Sequence, residues 1–148
     1  MCGITGANFA AESAIARANH ACRHRGPDAT GIFCDGHVTL GHQRLSIIDL
    51  STAADQPMSY THAGRTVHIV FNGEVYNFAE IRAELQQQGY RFSTHGDTEV
   101  ILAAYLHYGE ECFHRFEGMW ALALYEAGSL LLSVDQFGKK PLYYHVDP

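Results

Sequence analysis

Met1-Cys2-Gly3-Ile4-Thr5-Gly6-Ala7-Asn8-Phe9 opens the chain and decides how the rest is read. Residues 3 to 9 predict a glycine-permissive strand that begins immediately after Cys2, so the N-terminus is anchored at a sheet and is not a loose tail. Removal of Met1 would put a thiol and a free α-amine on one residue. A terminal amine titrates near 7.7 to 8.0 and a thiol is already partly ionised near neutrality, so Cys2 alone can supply a nucleophile and its proton acceptor. Gly3 lets the backbone approach closely at that point, though Met-Cys-Gly by itself is a weak signal.

Outward from this strand, residues 13 to 22 predict a helix capped by Ser13, with Ile15, Ala18 and Cys22 on one side. His24-Arg25-Gly26-Pro27-Asp28 breaks it. Short strands are expected at 30 to 34, 38 to 42 and 46 to 49, then a polar passage over 51 to 66, then a strand through Val67, Ile69, Val70 and Phe71 that stops at the turn-forming pair Asn72-Gly73. Asn77 and Glu80 fit a capping box for a helix bearing Phe78, Ile81 and Leu85, ended by Gly89; a second helix, about 98 to 108, starts behind Asp97. Two apolar runs, 119 to 125 and 130 to 134, flank a hairpin connection, and Leu142–Val146 predicts one more strand. Strands, then helices, then strands describe two packed sheets with helices outside, an α+β architecture, better than alternating βαβ units.

Composition narrows the function. With 148 residues, 47% of them hydrophobic, one core is expected. The net charge of -6 is dispersed and gives no electrostatic reason to bind nucleic acid or an anionic membrane. No run approaches a membrane span and no secretory signal opens the chain, which predicts a cytoplasmic location. The four cysteines, Cys2, Cys22, Cys34 and Cys112, are sparse and irregular and are expected as thiols. His20, Cys22 and His24 match no zinc spacing, so no metal is assigned.

Attack on an amide creates an oxyanion, for which Asn72 and the N–H of Gly73 offer donors, although a plain turn explains this pair locally. A free amino acid also needs both charged ends held. Arg44 suits an α-carboxylate, Asp97 suits an α-ammonium, and Glu74 offers a further polar contact. Taken singly, Arg44 reads better as a surface residue and Asp97 as a helix cap. His24, His42 and His95 are read as structural, because a terminal amine makes a histidine base unnecessary, and Arg25 and Asp28 as organising their own loop, through a salt bridge.

These residues lie within segments that together resemble the class II glutamine amidotransferases of the N-terminal-nucleophile superfamily, in the asparagine synthetase branch. The segments are Met1–Ile4, His24–Asp28, Gly41–Ile47, Asn72–Asn77, Gly96–Leu102 and Asp135–Tyr144. Each is weak alone; their order along the whole chain is specific. The resemblance implies a four-layer αββα sandwich, Cys2 as nucleophile, Asn72 and Gly73 as oxyanion donors, and Arg44, Glu74 and Asp97 as glutamine binders. It implies hydrolysis of L-glutamine to L-glutamate and ammonia through a Cys2 thioester with no cofactor. It further implies a downstream synthetase domain using ATP and Mg to make asparagine from aspartate, so residues 1–148 are expected to be a glutaminase domain incomplete at its C-terminal end. Oligomeric state is not readable. The alternatives are ammonia supply to a related amide-forming synthetase, an amidohydrolase acting on another amide, and a non-catalytic regulatory domain. One departure stands out: the family motif begins Arg-Asp, whereas this chain has Val134-Asp135 and so lacks the guanidinium donors there.

Overall fold

The opening run is strand β1 (Gly3–Ala7) in a computed structural model that describes residues 1–146. After it come helix α1 (Glu12–Ala21) and strands β2 (Ala29–Cys34) and β3 (Thr39–Arg44). β3 pairs antiparallel with β1 on one edge, Gly3 opposite Gln43, and with β2 on the other, giving a three-stranded sheet in the order β1-β3-β2. Helix α1 covers one face of this sheet. It starts at Glu12 with no side-chain cap, so Ser13 lies exposed within the first turn and does not cap. Its buried positions are Ile15 and Asn19. Asn19 donates through Nδ2 to the Gly31 carbonyl at 3.1 Å and accepts from the Thr5 hydroxyl at 2.7 Å, which fixes the helix over the sheet by polar contacts that apolar periodicity does not register.

A second antiparallel sheet takes the order β4-β5-β6-β7, from β4 (Met58–His62), β5 (Arg65–Val75), β6 (Gly118–Glu126) and β7 (Ser129–Val134). Helices α2 (Phe78–Gln87) and α3 (Thr98–Tyr108) pack on its outer face. Alternation sorts the side chains: Val67, Ile69, Phe71, Trp120, Leu122 and Leu124 point to the helices, while Val70, Ala123 and Tyr125 meet Val38 and Leu40 of the first sheet. The layers are therefore α1, three-stranded sheet, four-stranded sheet, and α2 with α3. This is the expected αββα order. Most of the apolar core lies beneath α3, where Ile101 and Leu102 are fully buried, each worth about 1.5–3 kcal/mol.

Several local expectations are corrected. Residues 46–49 form no strand; Ile47 and Ile48 are consecutive and both exposed, so no face alternates. The polar passage contains β4, an edge strand in which only Met58 is buried, too little signal to find by pattern. Asn72-Gly73 is not a turn: β5 continues to Val75 because β6 supplies ladder partners for Phe71 through Val75. Asn77 does not cap α2; its amide donates to the Arg115 carbonyl at 2.9 Å and accepts from the Glu117 N–H at 3.0 Å, tying the start of α2 to the entry of β6. Leu142–Val146 forms no strand.

At the end of β7, Val134 is half exposed and Asp135 is buried. Asp135 accepts backbone N–H bonds from Trp120, Phe137, Lys139 and Lys140 at 3.0–3.2 Å. Burial pushes this carboxyl up, but the four donors outweigh it and leave the pKa lowered. A group lowered on folding contributes stability above its unfolded value and loses it as pH falls through the folded one. Asp135→Ala leaves those donors without an acceptor and is expected to cost on the order of 3 kcal/mol, read as a reduced midpoint in chemical denaturation. A midpoint within error of the parent would remove Asp135 as the anchor of the 135–140 turn.

Candidate active site

Cys2 stands directly before β1. Its Sγ accepts from the Leu45 N–H at 3.4 Å, and its carbonyl accepts from Arg25 Nε at 3.0 Å. Arg25 reaches it from a 3-10 turn, Arg23–Arg25, held close to β3 because the next residue is Gly26. A Cβ at Gly26 would collide with the backbone of Gln43 and Arg44, so only glycine permits that approach. Asp28 accepts from the Ser46 N–H at 2.7 Å. The His24–Asp28 segment thus braces Cys2 and the corner after β3 together. Among the described residues Arg25 and Asp28 form no ion pair with each other, which corrects that expectation: each is used by backbone instead.

Arg44 ends β3 and is buried. Nη1 donates to the Ser51 carbonyl at 2.8 Å and to the Asp55 carboxylate at 2.6 Å, and Nη2 donates to the Asp49 carbonyl. These contacts take three of the five guanidinium hydrogens and leave Nε–H and one Nη2–H. Arg44 is therefore neither a surface residue nor a free clamp: it first organises the loop 45–55, and its remaining edge is the part available to a carboxylate.

Asp49, which sequence reasoning missed, links that loop to the opposite wall. Its carboxylate accepts from the N–H groups of His95 and Ser51, both at 2.8 Å, and these bonds, His95 first, lower its pKa to about 2. The only trace in the sequence is an Asp two residues ahead of a Ser, an Asx-turn pattern.

Asp97 precedes α3 but does not cap it with its side chain. Its Oδ2 accepts from the Val75 N–H at 3.0 Å. Burial raises its pKa, and the charge of Glu74 adds to this against the opposing Val75 bond. A buried carboxylate in that state gains from a cationic partner.

The edge of β5 carries the remaining residues. The N–H of Phe71 donates to Gln56 Oε1 at 2.7 Å and that of Val75 to Asp97, both away from β6. Backbone direction repeats every second residue in a strand, so the N–H of Gly73 points the same way, along an edge where β4 pairing has already ended at Met58–Ile69. A Cβ at Gly73 would collide with the Met119 carbonyl and lie 2.7 Å from the Trp120 Cα, so only glycine keeps β5 and β6 paired here. Asn72 is buried, and its side-chain amide makes no hydrogen bond with the described residues.

All six candidates, Cys2, Arg44, Asn72, Gly73, Glu74 and Asp97, line one cleft of about 150 Å³. Met1, Asp49, Gln56, Gly96 and Lys140 line it too. Gln56 was missed; it bridges β5 to α3, donating to the Thr98 hydroxyl at 3.4 Å while accepting from Phe71. Acidic and basic groups therefore share a small space, with a thiol at one end and an unpartnered amide on the wall.

The histidines lie apart from the thiol chemistry. His42 is buried between the sheets, where desolvation lowers its pKa to about 4 and keeps it neutral. Because a carbonyl can only accept, Nε2 carries the hydrogen and donates to Phe71 O at 3.1 Å, and Nδ1 has no partner among the described residues. His42 thereby ties the Cys2 sheet to the residue preceding Asn72. His24 and His95 are exposed. Among the described residues, no group of three or more His, Cys, Asp or Glu is placed to hold a metal ion, and no helix is long and apolar enough to cross a membrane.

Residues 1–148 match the family model described as a glutamine amidotransferase domain, and the chain belongs to that family, the class II glutamine amidotransferases. Among curated relatives it is 47% identical over 135 residues to asparagine synthetase [glutamine-hydrolyzing] 1 of Bacillus subtilis, covering 90% of this chain and 21% of that protein. It is 41% identical over 127 residues to Amidase chry2 of Gibberella zeae, covering 83% of this chain and 18% of that one. The chain thus spans about a fifth of the length of these relatives. Among solved structures, the glutamine phosphoribosylpyrophosphate amidotransferase of B. subtilis superposes with a TM-score of 0.72 at 19% identity, covering 90% of this chain and 36% of that one, a likeness of fold.

Proposed function

We propose that this domain hydrolyses L-glutamine to L-glutamate and ammonia through a Cys2 thioester. The observation that carries the reading is the convergence in one cleft of a nucleophile at the second position, an unpartnered amide and two oppositely charged residues able to hold an amino acid. After Met1 is removed, the Cys2 amine takes the thiol proton as Sγ attacks the side-chain carbonyl carbon. The oxyanion is met by Asn72 Nδ2–H and the Gly73 N–H. Collapse passes the proton to the leaving nitrogen, and ammonia departs. Water then adds to the thioester, the amine again accepting a proton, and glutamate leaves as the thiol is restored. The free edge of Arg44 receives the substrate α-carboxylate; Asp97, with Glu74 beside it, receives the α-ammonium. This half-reaction needs no cofactor.

Within a longer protein, the ammonia feeds a C-terminal synthetase domain that uses ATP and Mg to convert aspartate to asparagine, in the cytoplasm, with residues 1–148 as its glutaminase domain. The name of the B. subtilis relative supports asparagine as the product. The amidase named among the relatives favours a second reading, in which the same cleft hydrolyses an amide other than that of glutamine. Comparing ammonia release from glutamine with release from other amides, and supplying the full-length protein with glutamine, ATP, Mg and aspartate to look for asparagine, decides between them.

Arg44→Ala removes the carboxylate partner and also leaves Asp55 and two carbonyls without their donor. The expected result is a KM for glutamine raised by about 10- to 100-fold, with a lowered melting midpoint. An unchanged KM in a folded variant would take Arg44 out of the substrate site.

A further inference from the structure

Lys140 reaches the cleft from the turn that follows β7, and it is only 7% exposed. Its backbone N–H is fixed by Asp135 at 3.2 Å, so its position is set by the anchor at the end of the sheet. Among the described residues its ammonium has one side-chain partner, the Met1 Sδ at 2.8 Å, a weak acceptor for a buried cation. Met1 is the residue whose removal creates the Cys2 amine. Processing therefore strips Lys140 of that partner at the moment a second amine appears next to it. Covalent geometry limits how far apart they are: five bonds join the Met1 sulfur to the Cys2 nitrogen, so the two nitrogens lie within roughly 9 Å of each other at most.

We propose that Lys140 is a positioning residue for the nucleophile, whose buried positive charge disfavours protonation of the neighbouring Cys2 amine and so holds it in its neutral, proton-accepting form. The inference rests on the glutaminase reading above. A like charge within that distance, on a side chain itself buried in the cleft wall, penalises the ammonium form of the amine.

The other charged groups facing this space are Arg44 from β3, Asp49 from the following loop, Glu74 from β5 and Asp97 ahead of α3, while Arg25 bonds the Cys2 carbonyl. Arg44 is paired with Asp55, and Asp49 is consumed by two backbone donors, so neither sets the balance at the amine. Glu74 is the competitor. If Lys140 turned to Glu74 on loss of Met1, its charge would be neutralised and it would tune substrate binding instead.

The test uses the full-length processed protein with Lys140→Met, which keeps the length of the side chain, and Lys140→Arg, which keeps the charge. Two quantities are read: the acid limb of kcat/KM for glutamine, and the pH dependence of acylation of the N-terminal amine, followed by mass spectrometry of the N-terminal peptide. Lys140→Met is expected to move both upward by about half to one pH unit, and Lys140→Arg to restore the parent values. Unmoved profiles in Lys140→Met, or an altered KM with an unmoved acid limb, overturn the proposal, the second outcome assigning Lys140 to Glu74 and substrate. The acylation profile needs no turnover, so a parent without glutaminase activity refutes the function separately from the charge effect.

Discussion

Cys2→Ala is expected to lower glutamine hydrolysis by at least about four orders of magnitude while leaving the fold intact, because the thiol supplies the bond to carbon that no neighbouring group can replace. Its Sγ makes two weak contacts, accepting from the Leu45 N–H at 3.4 Å and donating to the Leu45 carbonyl at 3.8 Å, so alanine should cost little stability. The same loss is expected in a chain extended by one bulky residue ahead of Cys2 so that the terminus is not trimmed. There the Cys2 nitrogen remains an amide with no basic lone pair. In the unprocessed chain, moreover, Met1 lies in the cleft with its sulfur against Lys140. The two variants separate the roles: the first lacks the nucleophile, the second has the thiol without its base. Ammonia release measured on both, with the mass of the N-terminus recorded, checks this. Appreciable turnover by the untrimmed chain would remove the amine from the mechanism.

Asn72→Ala carries the second large effect. Removing one preorganised donor to a developing oxyanion costs about 10²- to 10³-fold in kcat, and the loss falls on kcat more than on KM because the bond strengthens only as charge develops. The structure adds a control: the Asn72 amide has no hydrogen bond to the described residues, so its removal breaks no internal network. The melting midpoint should stay near that of the parent. A kcat within threefold of the parent, in a variant that binds glutamine normally, would exclude Asn72 as an oxyanion donor.

Legibility in the sequence followed the strength of the apolar pattern. β6, β7 and α3 are continuous apolar runs bounded by polar turns, and their limits were readable to within a residue or two. β4 was not, since an edge strand with one buried residue has too little burial to impose a pattern. Asn72-Gly73 misled for the opposite reason. The pair has the local chemistry of a turn, but eight consecutive residue pairs with β6 outweigh the conformational preference of two residues. The capping reading of Asn77 failed similarly, because its amide finds two backbone partners across the entry to β6.

By itself the sequence determined which residues were worth bringing together: Cys2 at the second position, the candidate donors Asn72 and Gly73, and the charged Arg44, Glu74 and Asp97. What only the tertiary structure decided was how they are held and which are committed elsewhere. Cys2, directly ahead of β1, and Asn72, within β5, belong to different sheets, and their proximity depends on a neutral histidine bonded across the layers and on a loop gathered by Arg44 and Asp49. Such contacts join residues far apart in the chain through backbone carbonyls and N–H groups. Every residue carries these groups alike, so no spacing of side-chain types can announce which of them will meet.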